Sequence, residues 1–330
     1  MKHGFEKLAA ALLAVLMTAG CGAQTVQTAQ TAQPAEIAAQ AVPMAAKTSG
    51  PAKAVPVAAS AAPLSITPEA SGKLTQKTDN AVIDYSNTAD GYIMARYTGS
   101  TTAKLKAQVT GPSGVVYTYD LTAGKWAVFS LSDGNGGYKA SIFQNVSGSK
   151  YATVTSVSFT AEMKNDFAPF LLPNQYVDYS AAPNSVAKAK ELTKGKKDTL
   201  EQVQAIYEFV VDHLTYDKEK AANVKSGYLP VLDTVLAQKK GICFDYAALM
   251  AGMLRSQGVP CKLVVGYAGK AYHAWINVYS EETGWVNGAI YFDGDSWKLM
   301  DPTFASSGKQ SKEIMSYIGD GSHYTAKYIY

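Results

Sequence analysis

The chain has 330 residues, of which 47% are hydrophobic and 11% aromatic, enough to build two packed domains. Thirty Lys and Arg residues against 27 Asp and Glu leave a net charge of only +3, and no basic stripe stands out, so nucleic acid is not an expected partner. The three cysteines are an odd and sparse count that excludes a disulfide framework, and the absence of a C-x-x-C pair argues against a structural zinc site.

The N-terminus has the pattern of a secretory signal. Two lysines accompany a hydrophobic run from Leu8 to Met17, which is too short to span a membrane. The run ends in MTAGC at Cys21, which resembles a bacterial lipobox, although Thr18 stands where Leu is usual. We expect residues 1–21 to be a lipoprotein signal peptide, with lipidation at Cys21 and an extracytoplasmic, membrane-anchored product. The alternative is a simple cleaved signal followed by an incidental cysteine.

Residues 22–64 are rich in Ala, Gln, Thr and Pro and carry few charges. Prolines interrupt any helix that the alanines would favour. They stand at Pro34, Pro43, Pro51, Pro56 and Pro63. The segment is predicted to be a disordered linker that holds the rest of the protein away from the membrane.

Residues 65–165 are predicted to form an immunoglobulin-like β-sandwich. Seven β-prone runs alternate with turn clusters between about 78 and 163. The runs are AVIDY, GYIMARY, AKLKAQVT, VVYTYDL, KWAVFS, GYKASIF and YATVTSVSFTAEM. No constellation of acids, His or Cys occurs here, which favours a packing or spacer module, with substrate or wall binding as the alternative.

Helical periodicity begins at about residue 185. An apolar face runs from 199 to 214, where Thr199 and Gln202 form a capping-box signature, and a second short helix is expected near 230–238. The expected apolar face contains Leu200, Val203, Ile206, Tyr207, Val210, Val211 and Leu214.

The segment from 240 to 260, KGICFDYAALMAGMLRSQGVP, predicts a helix that begins at or just after Cys243 and stops at Gly258 and Pro260. The free N–H groups and the positive dipole end of such a helix stabilise a thiolate. Gly241 lets the backbone turn closely into the helix. Asp245, in the first turn, is interpreted as ordinary compensation of the helix dipole.

A reactive thiol needs a proton-transfer partner, and His273 lies in a predicted strand, AYHAWINVY. One face of this strand is expected to be core, with Tyr272, Ala274, Ile276 and Val278. The other face is expected to be polar and aromatic, with His273, Trp275, Asn277 and Tyr279. His213 is interpreted as a helix-end residue and His323 as a surface residue.

Asp301 closes the apolar run SWKLMDPTF. A carboxylate at the end of an apolar face needs a partner, and an imidazole N–H is a suitable one. The alternative is an ordinary turn-starting Asp before Pro302. Cys261, at the start of CKLVVGY, is expected to be a buried strand thiol, with a redox pair to Cys243 as the alternative.

These segments together resemble the transglutaminase-like superfamily. Its motifs appear in order as Gly-x-Cys, Arg-x-x-Gly-Val-Pro, Gly-Tyr, His-Ala-Trp and Asp-Pro-Thr, and the similarity covers roughly 195 to 305. The resemblance implies an α+β, papain-like domain over residues 166–330. It also implies that Cys243 is the nucleophile, His273 the general base and acid, and Asp301 the residue that orients it.

The resemblance further implies a cysteine-dependent amide hydrolase or acyl transferase that works through a thioester and needs no cofactor or metal. The backbone N–H of Cys243 would supply half of an oxyanion hole, with Tyr216 as a possible second donor and Trp275 as a possible site-lining residue. Protein or peptidoglycan peptides are the expected substrates of a monomer. The alternatives are a non-catalytic tethered binding module that keeps the fold and, more remotely, a metal site formed by Cys, His and Asp.

Overall fold

The computed structural model describes residues 66–196, 199–280, 284–286, 289–292, 297–300 and 324–330. The predicted signal peptide, the linker, Cys21, Asp301 and His323 therefore lie outside the described residues. Within the described part of the chain, no helix is long and apolar enough to cross a membrane.

The N-terminal half consists of eight antiparallel strands in two four-stranded sheets, ordered β1-β2-β3-β6 and β5-β4-β7-β8. The strands are β1 Thr75–Thr78, β2 Ala81–Asp84, β3 Tyr92–Tyr97, β4 Leu105–Thr110, β5 Val116–Leu121, β6 Ala127–Ser130, β7 Gly136–Ser147 and β8 Lys150–Ala161. Each of the seven predicted runs coincides with all or part of one strand from β2 to β8. The additional strand, β1, has the polar sequence TQKT and lies at a sheet edge, where no apolar alternation is required.

Alternating side chains join the two sheets into one core. In β4, Leu105, Ala107 and Val109 are buried while the residues between them are half-buried, and they share a core cluster with Ile83 and Ile93 of the other sheet. The antiparallel two-sheet arrangement agrees with a sandwich, and its immunoglobulin-like character stays a prediction.

Strand β8 contains an irregularity in its pairing with β7. Ile142 pairs with Thr155 and Phe143 with Thr153, so that one extra residue, Val154, forms an irregularity. Thr155 is buried, whereas Thr153 is exposed, because the irregularity removes Thr153 from the inner face.

In the described residues of the C-terminal half there are five α-helices and three groups of paired strands, in agreement with the predicted α+β class. The helices are α1 Pro183–Thr193, α2 Thr199–His213, α3 Lys218–Asn223, α4 Leu232–Gln238 and α5 Cys243–Ser256. The strands are β9 Thr215–Tyr216, β10 Lys240–Gly241, β11 Cys261–Ala268, β12 Ala271–Ser280, β13 Gly284–Val286, β14 Ala289–Phe292, β15 Trp297–Met300 and β16 Tyr324–Ile329. The main sheet has the order β13-β12-β11-β16, and β14 pairs with β15.

Helix α5 is the centre of this half. It contacts α1, α2 and α4 as well as β11 and β12, and every residue from Asp245 to Ser256 is buried. Small residues allow this close packing: a Cβ added to Gly252 would lie 2.4 Å from Leu232 Cδ1. A fully buried side chain such as Leu254 contributes roughly 1.5–3 kcal/mol relative to an exposed one.

Aromatic rings connect the two halves. Tyr117 of β5 meets Tyr328 and Tyr330 at ring-centroid distances of 5.8 and 5.6 Å, and Tyr176 lies 4.1 Å from Tyr330. The buried core is therefore continuous from Ala81 to Tyr330. The proposed division of the chain at residue 165 stays a prediction.

Candidate functional site

Strand pairing and a backbone hydrogen bond hold the segment that leads to Cys243 at the start of α5. Strand β10 pairs in parallel with β9, and Asp217 N–H donates to the Gly241 carbonyl at 2.8 Å. Ile242 is the extended N-cap residue, and Cys243 is the first residue of the helix. Cys243 is a free, half-buried thiol. The predicted position of Cys243 at a helix start is confirmed.

The glycine before this turn has a steric reason. A Cβ added to Gly241 would lie 2.6 Å from Asp245 Cβ, closer than real Cβ contacts come. Gly241 is itself buried. The predicted close backbone approach at Gly241 therefore has a specific cause, which is the side chain of Asp245.

Asp245 does more than compensate the helix dipole. Its side chain is 0% exposed and pairs with Lys220 Nζ at 2.6 Å. It also accepts hydrogen bonds from Ile242 N–H at 2.8 Å and from the hydroxyl of Tyr228. The sequence reasoning missed this buried ion pair, because no local pattern connects an acid in α5 with a lysine in α3.

Strand β12 shows the predicted alternation with one correction. Ala274, Ile276 and Val278 are buried in the main core, as expected. Tyr272 was expected to join them, but it is 47% exposed. It lies at the beginning of the strand, paired with Tyr267, another exposed tyrosine, near the end of the β11–β12 hairpin.

The second face of β12 is buried as well. His273 and Trp275 are only 6% and 3% exposed, and their rings stack at 6.5 Å. Trp275 also meets Tyr324 edge-on at 5.1 Å, which agrees with a packing role. Because neighbouring side chains of a strand point to opposite faces, His273 and Trp275 lie on the opposite face of β12 from Ala274 and Ile276.

Tyr272, at the start of β12, senses the charge of the Cys243 thiol. The pKa of Tyr272 is raised to about 12. The largest cause is partial burial, and the charges of Tyr328, Tyr267 and Cys243 raise it further. The start of β12 therefore lies within electrostatic reach of Cys243. The direct apposition of His273 to Cys243 stays a prediction, as does the role of Asp301.

The remaining predicted residues differ in their surroundings. Tyr216 is half-buried and pairs with Gly241 through the β9–β10 ladder, close to the lead-in of α5, and its role as an oxyanion donor stays a prediction. His213 ends α2, bonds the Leu236 carbonyl through Nε2 at 2.9 Å and stacks on Phe209 at 4.6 Å. His213 is a structural helix-end residue, as predicted.

Cys261 has the opposite environment to Cys243. It is fully buried and free, and burial raises the pKa of its thiol to about 12, partly offset by the positive charge of Arg255. The two thiols are not joined by a disulfide. The predicted buried strand cysteine is confirmed.

Arg255 was not recognised as an individual residue from the sequence, although it lies in the Arg-x-x-Gly-Val-Pro motif. Its buried guanidinium donates to the carbonyls of Cys261, Leu172 and Tyr330 at 2.8, 2.8 and 2.6 Å. Burial lowers the pKa of Arg255 to about 10, so the side chain still carries its charge at neutral pH. It joins the end of α5 to β11 and to the last residue of the chain.

Part of the C-terminal half is similar to a known protein family. The model of the transglutaminase-like superfamily matches residues 186–289. The chain is 31% identical over 116 residues to the kyphoscoliosis peptidase of Mus musculus, covering 35% of this chain and 17% of the relative. It is 28% identical over 120 residues to a protein-glutamine gamma-glutamyltransferase of Pseudomonas aeruginosa, covering 32% and 18%. The match thus spans less than a fifth of these relatives.

Solved structures give a looser likeness. A putative cysteine protease from Cytophaga hutchinsonii aligns with a TM-score of 0.34 and 15% identity, covering 70% of this chain and 68% of that one. The periplasmic domain of TgpA from Pseudomonas aeruginosa aligns with a TM-score of 0.33 and 14% identity, covering 74% and 99%. At these TM-scores the alignments carry no argument of their own.

Proposed function

We propose that this protein is a cysteine-dependent amide hydrolase or acyl transferase with Cys243 as its nucleophile, because residues 186–289 match the model of the transglutaminase-like superfamily. The observation that supports this most is the position of Cys243. It is a half-buried, free thiol in the first turn of a helix, where free N–H groups and the helix dipole favour a thiolate.

In the proposed reaction, the Cys243 thiolate attacks an amide carbonyl and forms a tetrahedral intermediate. The backbone N–H of Cys243 stabilises the oxyanion, with Tyr216 as the proposed second donor. The C–N bond then breaks, His273 gives a proton to the leaving amine, and a thioester remains on the sulfur. Asp301 is proposed to orient His273 and stabilise its charged form.

The second half of the reaction depends on the acceptor. Water would release a carboxylic acid, whereas a primary amine would form a new amide. Hydrolysis is the simpler proposal, because it needs no second substrate site. Neither outcome requires a cofactor.

The proposed location is extracytoplasmic, with a lipid on Cys21 and residues 22–64 as a tether. This location makes cell-surface proteins and peptidoglycan peptides the proposed substrates of a monomeric enzyme. Trp275 is proposed to support the site by packing on His273, given their stacked rings.

A second candidate is a tethered binding module that keeps the fold without catalysis. The specific observation in its favour is the burial of His273, which is only 6% exposed and so leaves little of the proposed base open to a substrate. In that case Cys243 would behave as an ordinary thiol.

Thiol labelling separates the two candidates. We expect iodoacetamide to modify Cys243 much faster than Cys261 at neutral pH, because Cys261 is buried and stays protonated. His273→Ala should remove most of this difference, while His213→Gln serves as the matched histidine control. Equally slow labelling of both thiols would contradict the catalytic proposal.

The acceptor is identified by incubating the protein with glutamine-containing peptides, with and without a primary amine. Ammonia release without the amine indicates hydrolysis of the side-chain amide, and incorporation of the amine indicates transfer. Cleavage of the peptide backbone would instead identify a peptidase. Cys243→Ala should abolish whichever product appears.

A further inference from the structure

A segment that we call the strap, residues 217–228, holds the first turn of α5. Its first residue, Asp217, donates its N–H to the Gly241 carbonyl at 2.8 Å. The Asp217 carboxylate also accepts from Lys220 N–H at 2.9 Å and pairs with Lys240 Nζ at 3.1 Å. The strap is therefore tied to the two strands and the turn that lead into Cys243.

The other contacts of the strap converge on Asp245. Lys220 Nζ lies 2.6 Å from one carboxylate oxygen, and the Tyr228 hydroxyl donates to the other. Lys220 Nζ also donates to the Tyr228 hydroxyl at 2.6 Å and lies 4.2 Å from the centre of its ring. Burial, followed by the hydrogen bond and charge of Asp245, raises the pKa of Tyr228 well above its usual value, so the phenol remains a donor.

This arrangement needs a reason, because burying a carboxylate costs several kcal/mol unless it is paired. Capping of α5 alone does not require a charge, since a neutral amide at this N3 position can also accept from the N-cap N–H. Asp245 also stands two residues after Cys243, at the helix end that favours a negative charge. A bare carboxylate there would repel a thiolate at the same end.

We propose that Lys220 and Tyr228 are positioning residues for Cys243. They neutralise the buried carboxylate of Asp245, so that the positive N-terminal end of α5 stabilises the thiolate of Cys243. This inference rests on the proposed role of Cys243 as nucleophile. Lys220 and Tyr228 set the reactivity of the Cys243 thiol, and neither of them contacts the substrate.

The other ionisable groups at this end have different roles. Lys240 of β10 forms an ion pair with the carboxylate of Asp217. Tyr272 of β12 stays neutral below about pH 12. Strand β9 brings Tyr216 alongside the lead-in, and β12 carries His273. Among the ion pairs of the described residues, Lys220 supplies the cation that contacts Asp245.

The test is the pH dependence of iodoacetamide alkylation at Cys243 in the full chain. Lys220→Met keeps the aliphatic stem but removes the cation, while Tyr228 and Ile242 N–H still stabilise a charged Asp245. We expect the pH of half-maximal alkylation to rise by about one unit, with about tenfold slower labelling at neutral pH. Lys218→Met, on the exposed face of the same helix, is the matched control and should leave the profile unchanged.

The double variant Lys220→Met with Asp245→Asn separates charge from structure. If Lys220 acts by neutralising Asp245, removing both charges returns the half-maximal pH towards that of the unmodified protein. A purely structural role would leave the double variant as slow as the single one or slower. Either that outcome or an unchanged profile in Lys220→Met would overturn the proposal.

Two conservative variants keep the test decisive if Lys220→Met does not fold. Lys220→Arg retains the cation and should keep the original profile, whereas Tyr228→Phe loses one donor and should raise the half-maximal pH by a few tenths of a unit. An unshifted Tyr228→Phe or a shifted, folded Lys220→Arg counts against the proposal. Uniformly slow labelling in the unmodified protein would instead contradict the proposed function itself.

Discussion

The two ends of helix α5 bury charged side chains for different purposes. At the N-terminal end, the buried Asp245 pairs with Lys220 beside a half-buried thiol. At the C-terminal end, the buried Arg255 donates to three backbone carbonyls beside a fully buried thiol. The charges at the first end pair with each other two residues from Cys243, the proposed nucleophile, whereas the charge at the second end satisfies main-chain acceptors. Burial of a charge is therefore not evidence for function until its partners are identified.

The largest expected contrast between the two ends is in activity. Cys243→Ala should lower turnover of any amide substrate by at least about 1,000-fold, because no other group is proposed to form the thioester. Cys261→Ala should retain most of the activity, since the buried thiol only packs. Comparable losses in both variants would mean that the two thiols are not functionally distinct.

Stability should show the reverse contrast. Arg255→Met removes one donor from each of three buried carbonyls, of which that of Tyr330 still accepts from Leu263 N–H, and should lower the free energy of unfolding by about 3 kcal/mol. The matched control is Lys190→Met, an exposed residue of α1, which should change it by less than about 0.5 kcal/mol. Urea unfolding measures both. A loss below about 1 kcal/mol for Arg255→Met would show that these carbonyls find other partners.

A smaller change probes the steric fit at the N-terminal end. Gly241→Ala places a Cβ 2.6 Å from that of Asp245 and should cost roughly 1–3 kcal/mol while slowing alkylation of Cys243. Gly137→Ala in β7 is a suitable control, because a Cβ there meets nothing within 4 Å. Unaltered alkylation in a destabilised Gly241→Ala variant would separate the fit of the turn from thiol reactivity.

The smallest effect concerns the pH dependence at Cys261. Its pKa is raised by burial to about 12 in the folded protein, so only the unfolded chain loses this proton at moderately alkaline pH. Stability contributed by this thiol is therefore full below its unfolded pKa and lost as pH rises above it, at about 1.4 kcal/mol per pH unit. From pH 8.5 to 9.5, the unmodified protein should lose about 1 kcal/mol more than Cys261→Ala. Parallel curves for the two proteins would contradict the buried environment of Cys261.

Local periodicity predicted most of the architecture. The alternating runs identified β2 to β8, and the 3.6-residue pattern identified α2, α4 and the start of α5 at Cys243. These features depend on near neighbours in sequence, so they can be read from a single chain. The polar edge strand β1 has no such pattern and was missed.

The details of the site were harder to predict, because they depend on contacts between distant segments. Lys220 reaches Asp245 only because the strap lies against the start of α5, and Arg255 reaches Tyr330 only because β16 returns beside β11. Tyr272 is exposed beside Tyr267 near the end of the β11–β12 hairpin. In each case, the residue type was visible in the sequence but its partner was not.

The central claim, that Cys243 is a nucleophile that forms an acyl thioester, is tested most directly by intact-mass measurement. The protein is mixed with an activated ester such as p-nitrophenyl acetate, quenched within seconds and digested to locate the acetyl group. Our account predicts one acetyl group on Cys243 that turns over and is absent in Cys243→Ala. Acetylation confined to surface lysines, with Cys243 unmodified, would contradict it.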